Sequence, residues 1–205
     1  MSKIVIIDYN SGNIDSVKSA VNYHGFDCKI SKNYIDIKNA NKIILPGQGS
    51  FLNGMQNIIQ YGLYDLIRSK ALNENVPILG ICLGMQILAT KGFENGEQKG
   101  LDIIPGVVKK MNIKKFKLPH IGWNNVNILN QNPILENIKQ NTDFYFVHSY
   151  EYLCENPNNI LLTTEYEKTF TSGVFNKNIY GLQFHPEKSL TAGLTIIKNF
   201  LSIKC

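Results

Sequence analysis

Short apolar runs alternate with amphipathic stretches through the first half of the chain. Residues 3–7 are apolar and β-branched after Lys3, the composition of a strand buried on both faces. A polar loop follows, Asp8-Tyr9-Asn10-Ser11-Gly12-Asn13. Ile14, Val17 and Val21 fall at helical spacing and predict a helix over 14–23, closed by His24-Gly25 with the glycine just past its end. Residues 27–31 and 42–45 predict the next two strands, and Pro46-Gly47-Gln48-Gly49 breaks the second of them. A helix is predicted over roughly 55–72, a buried strand over 76–80 and a helix over 83–90. Such alternation implies parallel strands joined by right-handed crossovers.

The second half changes character. Residues 107–111, 126–129, 143–147, 160–165, 171–175 and 179–184 read as short strands. Asn-rich turns separate them, such as Asn156-Pro157-Asn158-Asn159 and Asn176-Lys177-Asn178. A helix over 189–203 closes the chain. The expected architecture is α/β in three layers: a mostly parallel central sheet flanked by helices, with a β-rich second half. One domain over 1–205 is the economical organisation.

Composition narrows the function classes. Hydrophobic residues make up 43%, enough for a sizeable core, and charged residues 18%, too few for a disordered chain. No apolar run approaches the roughly 18 residues of a membrane span. The run over 4–7 is too short for a signal peptide, so a cytoplasmic location is expected. The net charge of +5 is nearly all lysine, with Arg68 the only arginine. Bidentate reading of phosphate or guanine favours arginine, so nucleic acid is not the expected partner. The basic stretch Lys109, Lys110, Lys114, Lys115, Lys117 reads as a solvated face, with a partner-docking patch as the alternative.

The cysteines are Cys28, Cys82, Cys154 and Cys205, and no C-x-x-C pair suggests zinc or thiol redox work. Gly80-Ile81-Cys82-Leu83-Gly84 stands apart, after an apolar strand and before a predicted helix. This is the spacing of a nucleophile elbow, in which small neighbours allow a sharp turn to present the central side chain. The helix start would favour a thiolate, and the Leu83 N–H would face a developing oxyanion. A buried cysteine in a glycine-rich turn is the bland alternative. Among the histidines, His24 falls at a helix end, where a dipole contact accounts for it. His185 stands in His185-Pro186-Glu187; if that segment is extended, His185 and Glu187 share a side and the carboxylate orients the imidazole. A surface His–Glu pair is the alternative. Leu45-Pro46-Gly47-Gln48-Gly49 ends another strand, and Gln48 or Gly49 could supply a second oxyanion donor.

Taken together, Pro46-Gly47-Gln48-Gly49, Gly80-Ile81-Cys82-Leu83-Gly84-Met85-Gln86 and His185-Pro186-Glu187 resemble the class I, or triad, glutamine amidotransferases. The loop 8–13, Pro119-His120-Ile121-Gly122-Trp123-Asn124, Tyr145-Phe146-Val147-His148-Ser149-Tyr150 and the 181–189 segment further resemble the glutaminase subunits of imidazole glycerol phosphate synthase. The resemblance covers essentially the whole chain. It implies that Cys82 attacks the L-glutamine side-chain amide, with His185 as acid and base and Glu187 as its orienter. It implies oxyanion donors from Leu83 and from Gln48 or Gly49. Gly47, Gln86, His148, Ser149 and Tyr150 would bind glutamine. No metal or organic cofactor is implied. Ammonia would pass to a cyclase or synthase subunit in a heterodimer, with Asn10, Asn13, Pro119 and Trp123 towards that partner. Trp123 lies in a stretch read as a Pro/Gly loop, with local core packing as its alternative. Gln48 departs from the family pattern, where a small or aliphatic residue is expected. Rival readings are a related subunit feeding a synthase that amidates a surface sugar, an inactive partner-binding module, and a cysteine hydrolase acting on peptides.

Overall fold

In the computed structural model, which describes residues 3–10 and 12–204, the first half forms the expected strand–helix alternation. Met1, Ser2, the loop residue Ser11 and the cysteine Cys205 lie outside the described residues. The elements run β1 Ile4–Ile7, α1 Ile14–Tyr23, β2 Cys28–Ser31, α2 Tyr34–Lys38, β3 Lys42–Gly47, α3 Phe51–Gln60, α4 Tyr64–Leu72, β4 Ile78–Cys82 and α5 Leu83–Gln86. The second half adds β5 Lys91–Gly92, β6 Gln98–Lys99, β7 Gly106–Lys110, β8 His120–Ile128, β9 Thr142–His148 and β10 Tyr150–Cys154. It ends with β11 Ile160–Tyr166, β12 Lys168–Asn176, β13 Ile179–Leu182 and α6 Leu190–Ser202.

The sheet order is β2-β1-β3-β4-β13-β12-β10-β7-β5-β6. From β2 to β13 every neighbour is parallel. Beyond β13 the sheet continues through antiparallel β12, β10 and β7, and β11, β8 and β9 branch from β12. The mostly parallel expectation therefore holds for the layer that carries the helices, and the β-rich half is its antiparallel extension. Side chains alternate across β1: Val5 and Ile7 pack with Ile37, Ile58 and Ile67 from α2–α4. Ile4 and Ile6 face the other way, with Val17 and Val21 of α1 and Ile196 and Phe200 of α6. A strand apolar at every position is what a sheet covered on both faces requires.

Three expectations are corrected. The helix predicted over 55–72 is two helices. The first starts earlier because the Ser50 side chain accepts from Asn53 N–H, and it stops at Gly62, whose φ is 67°. There Gly62 N–H reaches Ile59 O and Leu63 N–H reaches Ile58 O, a Schellman closure that only a left-handed residue permits cheaply. The helix predicted over 83–90 is the single turn α5. The N–H groups of Leu88 and Ala89 tighten onto the i−3 carbonyls of Met85 and Gln86, and Thr90 N–H turns to Gly106 O. The carbonyls of Ile87, Leu88 and Ala89 accept from the N–H groups of Leu101, Ile103 and Asp102, so the α-helix does not continue. Pro119–Asn124, read as a loop, enters strand β8, with His120 opposite His148 and Trp123 opposite Tyr145 on β9. β3 also outruns its prediction. Pro46 remains in the strand where β3 keeps β4 as neighbour but has passed the end of its pairing with β1.

Gly84 is the tightest point. A Cβ there would sit 1.7 Å from the Leu45 carbonyl oxygen of β3. Gly84→Ala is expected to cost at least roughly 3 kcal/mol, read as a lower denaturation midpoint, because the obstruction is backbone and cannot rotate away. Gly106→Ala, facing the Tyr152 ring edge at 2.6 Å and the Leu153 carbonyl at 2.7 Å, should cost less.

Candidate active site

Cys82 ends β4, between the carboxyl ends of β3 and β13, and Gly47 pairs directly across from it. Its φ of 53° and ψ of −107° are those of a strained elbow. Gly80 permits the turn, since a Cβ there would lie 2.5 Å from the Gly84 carbonyl oxygen. The Cys82 thiol points towards Val147 O at 3.7 Å and receives the Gln183 amide at 3.6 Å. Gln183, fully buried, in turn accepts from the Gln86 side chain at 3.0 Å. Because α5 is one turn long, its dipole contributes little to the thiol. That part of the sequence argument is replaced by the imidazole beside it.

His185 and Glu187 come together as expected but by a different route. Residues 186–188 form a 3-10 turn rather than an extended segment. Pro186 starts the turn, and Lys188 N–H closes it on the His185 carbonyl. The Ser189 hydroxyl donates to the same carbonyl at 2.7 Å and accepts from Tyr145 N–H at 3.0 Å. His185 N–H donates to Tyr145 O at 2.9 Å. Within this bracing, His185 Nδ1 meets Glu187 Oε1 at 2.8 Å, both side chains almost wholly buried. Asn13 Nδ2 donates to the same oxygen. Asn13 therefore makes no capping bond at the start of α1, although it holds the capping position with φ 58°. Burial alone would push His185 down. Hydrogen bonding to Cys82 and Glu187, and the charges on both, outweigh it and raise the imidazole to about 9. His185 Nε2 has no hydrogen bond of ordinary geometry. The neighbour it responds to is the Cys82 sulfur.

A cavity of about 370 Å³ opens over this pair. Gln48, Gly49, Cys82, Leu83, Gln86 and His185 line it, with His148, Ser149 and Tyr150 on the facing wall. Gly47 does not line it. A Cβ at Gly47 would strike the Tyr9 hydroxyl and Leu83, so this glycine packs beneath the loop. Three lining residues were given no role in the sequence reading, Glu94, Val147 and Lys188. Glu94 spends one oxygen on the Phe51 N–H at 2.7 Å. A larger cavity of about 530 Å³ lies at the opposite, amino end of the parallel strands, where Lys3, Asp27, Lys29 and Asp36 line it. It includes Cys28, whose thiol burial pushes up, but no histidine to serve as its base. The remaining residues sit apart from the thiol. Asn10 donates to the Tyr61 hydroxyl at 2.6 Å, Pro119 is exposed, and Trp123 is half exposed against Tyr145, which replaces the core-packing alternative for it. His24 meets the Leu194 carbonyl of α6 at 2.8 Å rather than answering only to its own helix end. The lysines at 114, 115 and 117 are exposed, and Glu167 clamps their loop by accepting from the N–H groups of Lys114, Lys115 and Phe116. Among the described residues no cluster of three or more His, Cys, Asp or Glu side chains could hold a metal ion. No helix among them is long and apolar enough to cross a membrane.

The family model "Glutamine amidotransferase class-I" matches residues 5–203. The "Imidazole glycerol phosphate synthase subunit HisH 2" of Methanococcus maripaludis is 48% identical over 97% of this chain and 98% of its own length. The "Imidazole glycerol phosphate synthase subunit HisH" of Pelagibacter ubique is 42% identical over 98% and 99%. Among solved structures, one titled "Structure of PurLQS from Thermotoga maritima" superposes with a TM-score of 0.76 at 19% identity, covering 98% of this chain and 97% of that one. A crystal structure of a glutamine amidotransferase gives 0.76 at 18%, covering 96% of each.

The electrostatics generate one prediction. In the folded protein His185 should titrate near 9, followed by imidazole NMR. In Glu187→Gln the midpoint should fall, because the lost carboxylate is one of the charges that raise it. An unchanged midpoint would show that Glu187 contributes nothing to the imidazolium.

Proposed function

The chain belongs to the class-I glutamine amidotransferases, and we propose that it is the glutaminase subunit of an imidazole glycerol phosphate synthase in histidine biosynthesis. The observation that carries the chemistry is the Cys82 thiol in its strained turn at the cavity, beside a His185 that Glu187 orients. The names of the full-length relatives support the pathway. The whole chain acts as one glutamine amidotransferase domain, a reading supported by the family match over nearly its full length. We place it in the cytoplasm, in keeping with the unpaired thiols of Cys28, Cys82 and Cys154.

The reaction follows from the side chains. A raised His185 is an imidazolium at neutral pH, the cationic neighbour that a cysteine nucleophile uses. The thiolate adds to the amide carbon of the L-glutamine side chain. Leu83 N–H and an N–H of the Gln48–Gly49 turn receive the oxyanion. His185 passes its Nε2 proton to the departing nitrogen, the C–N bond breaks, and ammonia leaves a glutamyl thioester on Cys82. The neutral imidazole then takes a proton from water as the water oxygen adds to the thioester. Collapse expels the thiolate and yields glutamate. Glu187, held also by Asn13, keeps Nδ1 protonated and Nε2 aimed at the sulfur. Glu94, with one carboxylate oxygen uncommitted, answers the α-ammonium of glutamine, and Lys188 its α-carboxylate. Gln86, His148, Ser149 and Tyr150 complete the pocket. Ammonia released into water becomes mostly ammonium, which is no nucleophile, so the product is useful only to a docked cyclase or synthase subunit. The exposed Ile121 and Trp123 on β8, with Pro119 and Asn10, present the surface for that subunit.

The test is glutamine-dependent ammonia release by the full chain with its synthase subunit. Cys82→Ala should lower it by at least about 1000-fold. Glu94→Gln should raise the KM for glutamine roughly tenfold with a smaller change in kcat, the mark of a substrate-holding charge. Equal ammonia release by wild type and Cys82→Ala would overturn the assignment. Amination of a different acceptor would overturn the pathway alone.

A further inference from the structure

A buried pair of histidines outside the triad runs from the glutamine cavity to the outer strand β8. His148 Nδ1 lies 2.9 Å from the Tyr150 carbonyl oxygen. A carbonyl can only accept, so this nitrogen carries the hydrogen, and Nε2 of a neutral ring is left as an acceptor. His120 Nδ1 sits 3.0 Å from that Nε2 and must donate to it. His120 Nε2 then accepts, and Asn124 Nδ2 lies 3.3 Å away. The Asn124 amide is fixed in this sense, since its Nδ2 also donates to Glu165 O and its Oδ1 accepts from Asn125 N–H. Every joint thus has one permitted direction, set by a single backbone carbonyl. Protonating either ring would set two donors against each other at one of the joints.

The surroundings keep the pair neutral and in place. His120 stacks on Tyr166 at 4.0 Å and on Phe146 at 4.9 Å, with Phe170 at its edge. Burial pushes His120 down to about 4. Burial, reinforced by the neighbouring imidazoles, pushes His148 down to about 3 against its bond to Tyr150. The two rings face each other across the β8–β9 ladder.

We propose that His120 is a positioning residue for the glutamine pocket: through His148 it locks the turn from His148 to Tyr150, which forms the wall opposite Cys82, and ties that wall to the strand bearing the exposed Ile121 and Trp123. The inference rests on the glutaminase reading above. His120 lines no part of the cavity, so its effect must travel through the ring it holds. The same strand alternates inward His120 with outward Ile121 and Trp123. A displacement of β8 by a docked subunit would therefore reach the substrate wall through one hydrogen bond.

The experiment compares His120→Leu with His120→Asn in the full chain with its synthase subunit. Asparagine keeps an N–H where His120 Nδ1 donates; leucine leaves the buried His148 Nε2 without a donor. His120→Leu should raise the KM for glutamine roughly tenfold with kcat within about threefold, and His120→Asn should stay within about twofold of wild type. A space-filling role would instead make the two variants alike, and that result, or an unchanged KM in both, overturns the proposal. Should His120→Leu fail to fold, nitrogen NMR of the wild type decides. A neutral His148 with its hydrogen on Nδ1 at neutral pH supports the lock; a protonated ring, or hydrogen on Nε2, overturns it. A wild type unable to hydrolyse glutamine, even with its synthase subunit, overturns the functional reading and this inference together.

Discussion

The close passage of Gly84 beneath the Leu45 carbonyl governs the rest of the structure. It draws the start of α5 against β3 and leaves the chain no gentler path out of β4 than the turn at Cys82. A positive φ at a non-glycine residue costs on the order of 1–3 kcal/mol and persists only where its surroundings over-determine it. Here they do: β3 and β13 pair with β4 almost to its last residue, and the loop at 101–104 takes up the carbonyls that a longer helix would have used. The strain holds a thiol at the carboxyl edge of the parallel strands, where crevices form in open sheets of this kind.

The antiparallel half supplies what that thiol lacks. β13 brings His185 alongside β4, and the 3-10 turn after it swings Glu187 behind the imidazole. Helix α6 clamps that turn closely, since a Cβ on Gly193 would meet the Pro186 carbonyl oxygen at 1.9 Å. β9 and β10 provide the opposite wall through His148, Ser149 and Tyr150. Nucleophile and base are thus separated by about a hundred residues of chain but by one strand pairing in space. The imidazole, rather than the short helix, supplies the positive charge that suits a thiolate.

Much of this was legible in the residues. The bounds of α1 follow from the spacing of Ile14, Val17 and Val21 and from Gly25, and the elbow from glycines at 80 and 84. Local signals of that kind survive folding because they concern bonds within a few residues. What was missed depends on distant partners. Nothing near 83–90 in sequence announces that residues 101–104 will capture its carbonyls. Nothing in the loop 8–13 says that Asn13 will give its amide to Glu187, 174 residues away. No local signal around Glu94 announces its place in the cavity, and the first half of β8 read as a loop because Pro119 and Gly122 mask its alternation. The break at Gly62 was readable, being a helix-stop glycine inside an otherwise helical pattern.

The central claim is that one thiol of this chain is built to attack glutamine. It is tested most directly by treating the full chain with a diazo-ketone analogue of glutamine and locating the adduct by peptide mass spectrometry. The account predicts a single adduct on Cys82, suppressed by excess L-glutamine, with Cys28 and Cys154 untouched. Labelling spread over the other cysteines, or labelling of Cys82 that glutamine does not suppress, would contradict it.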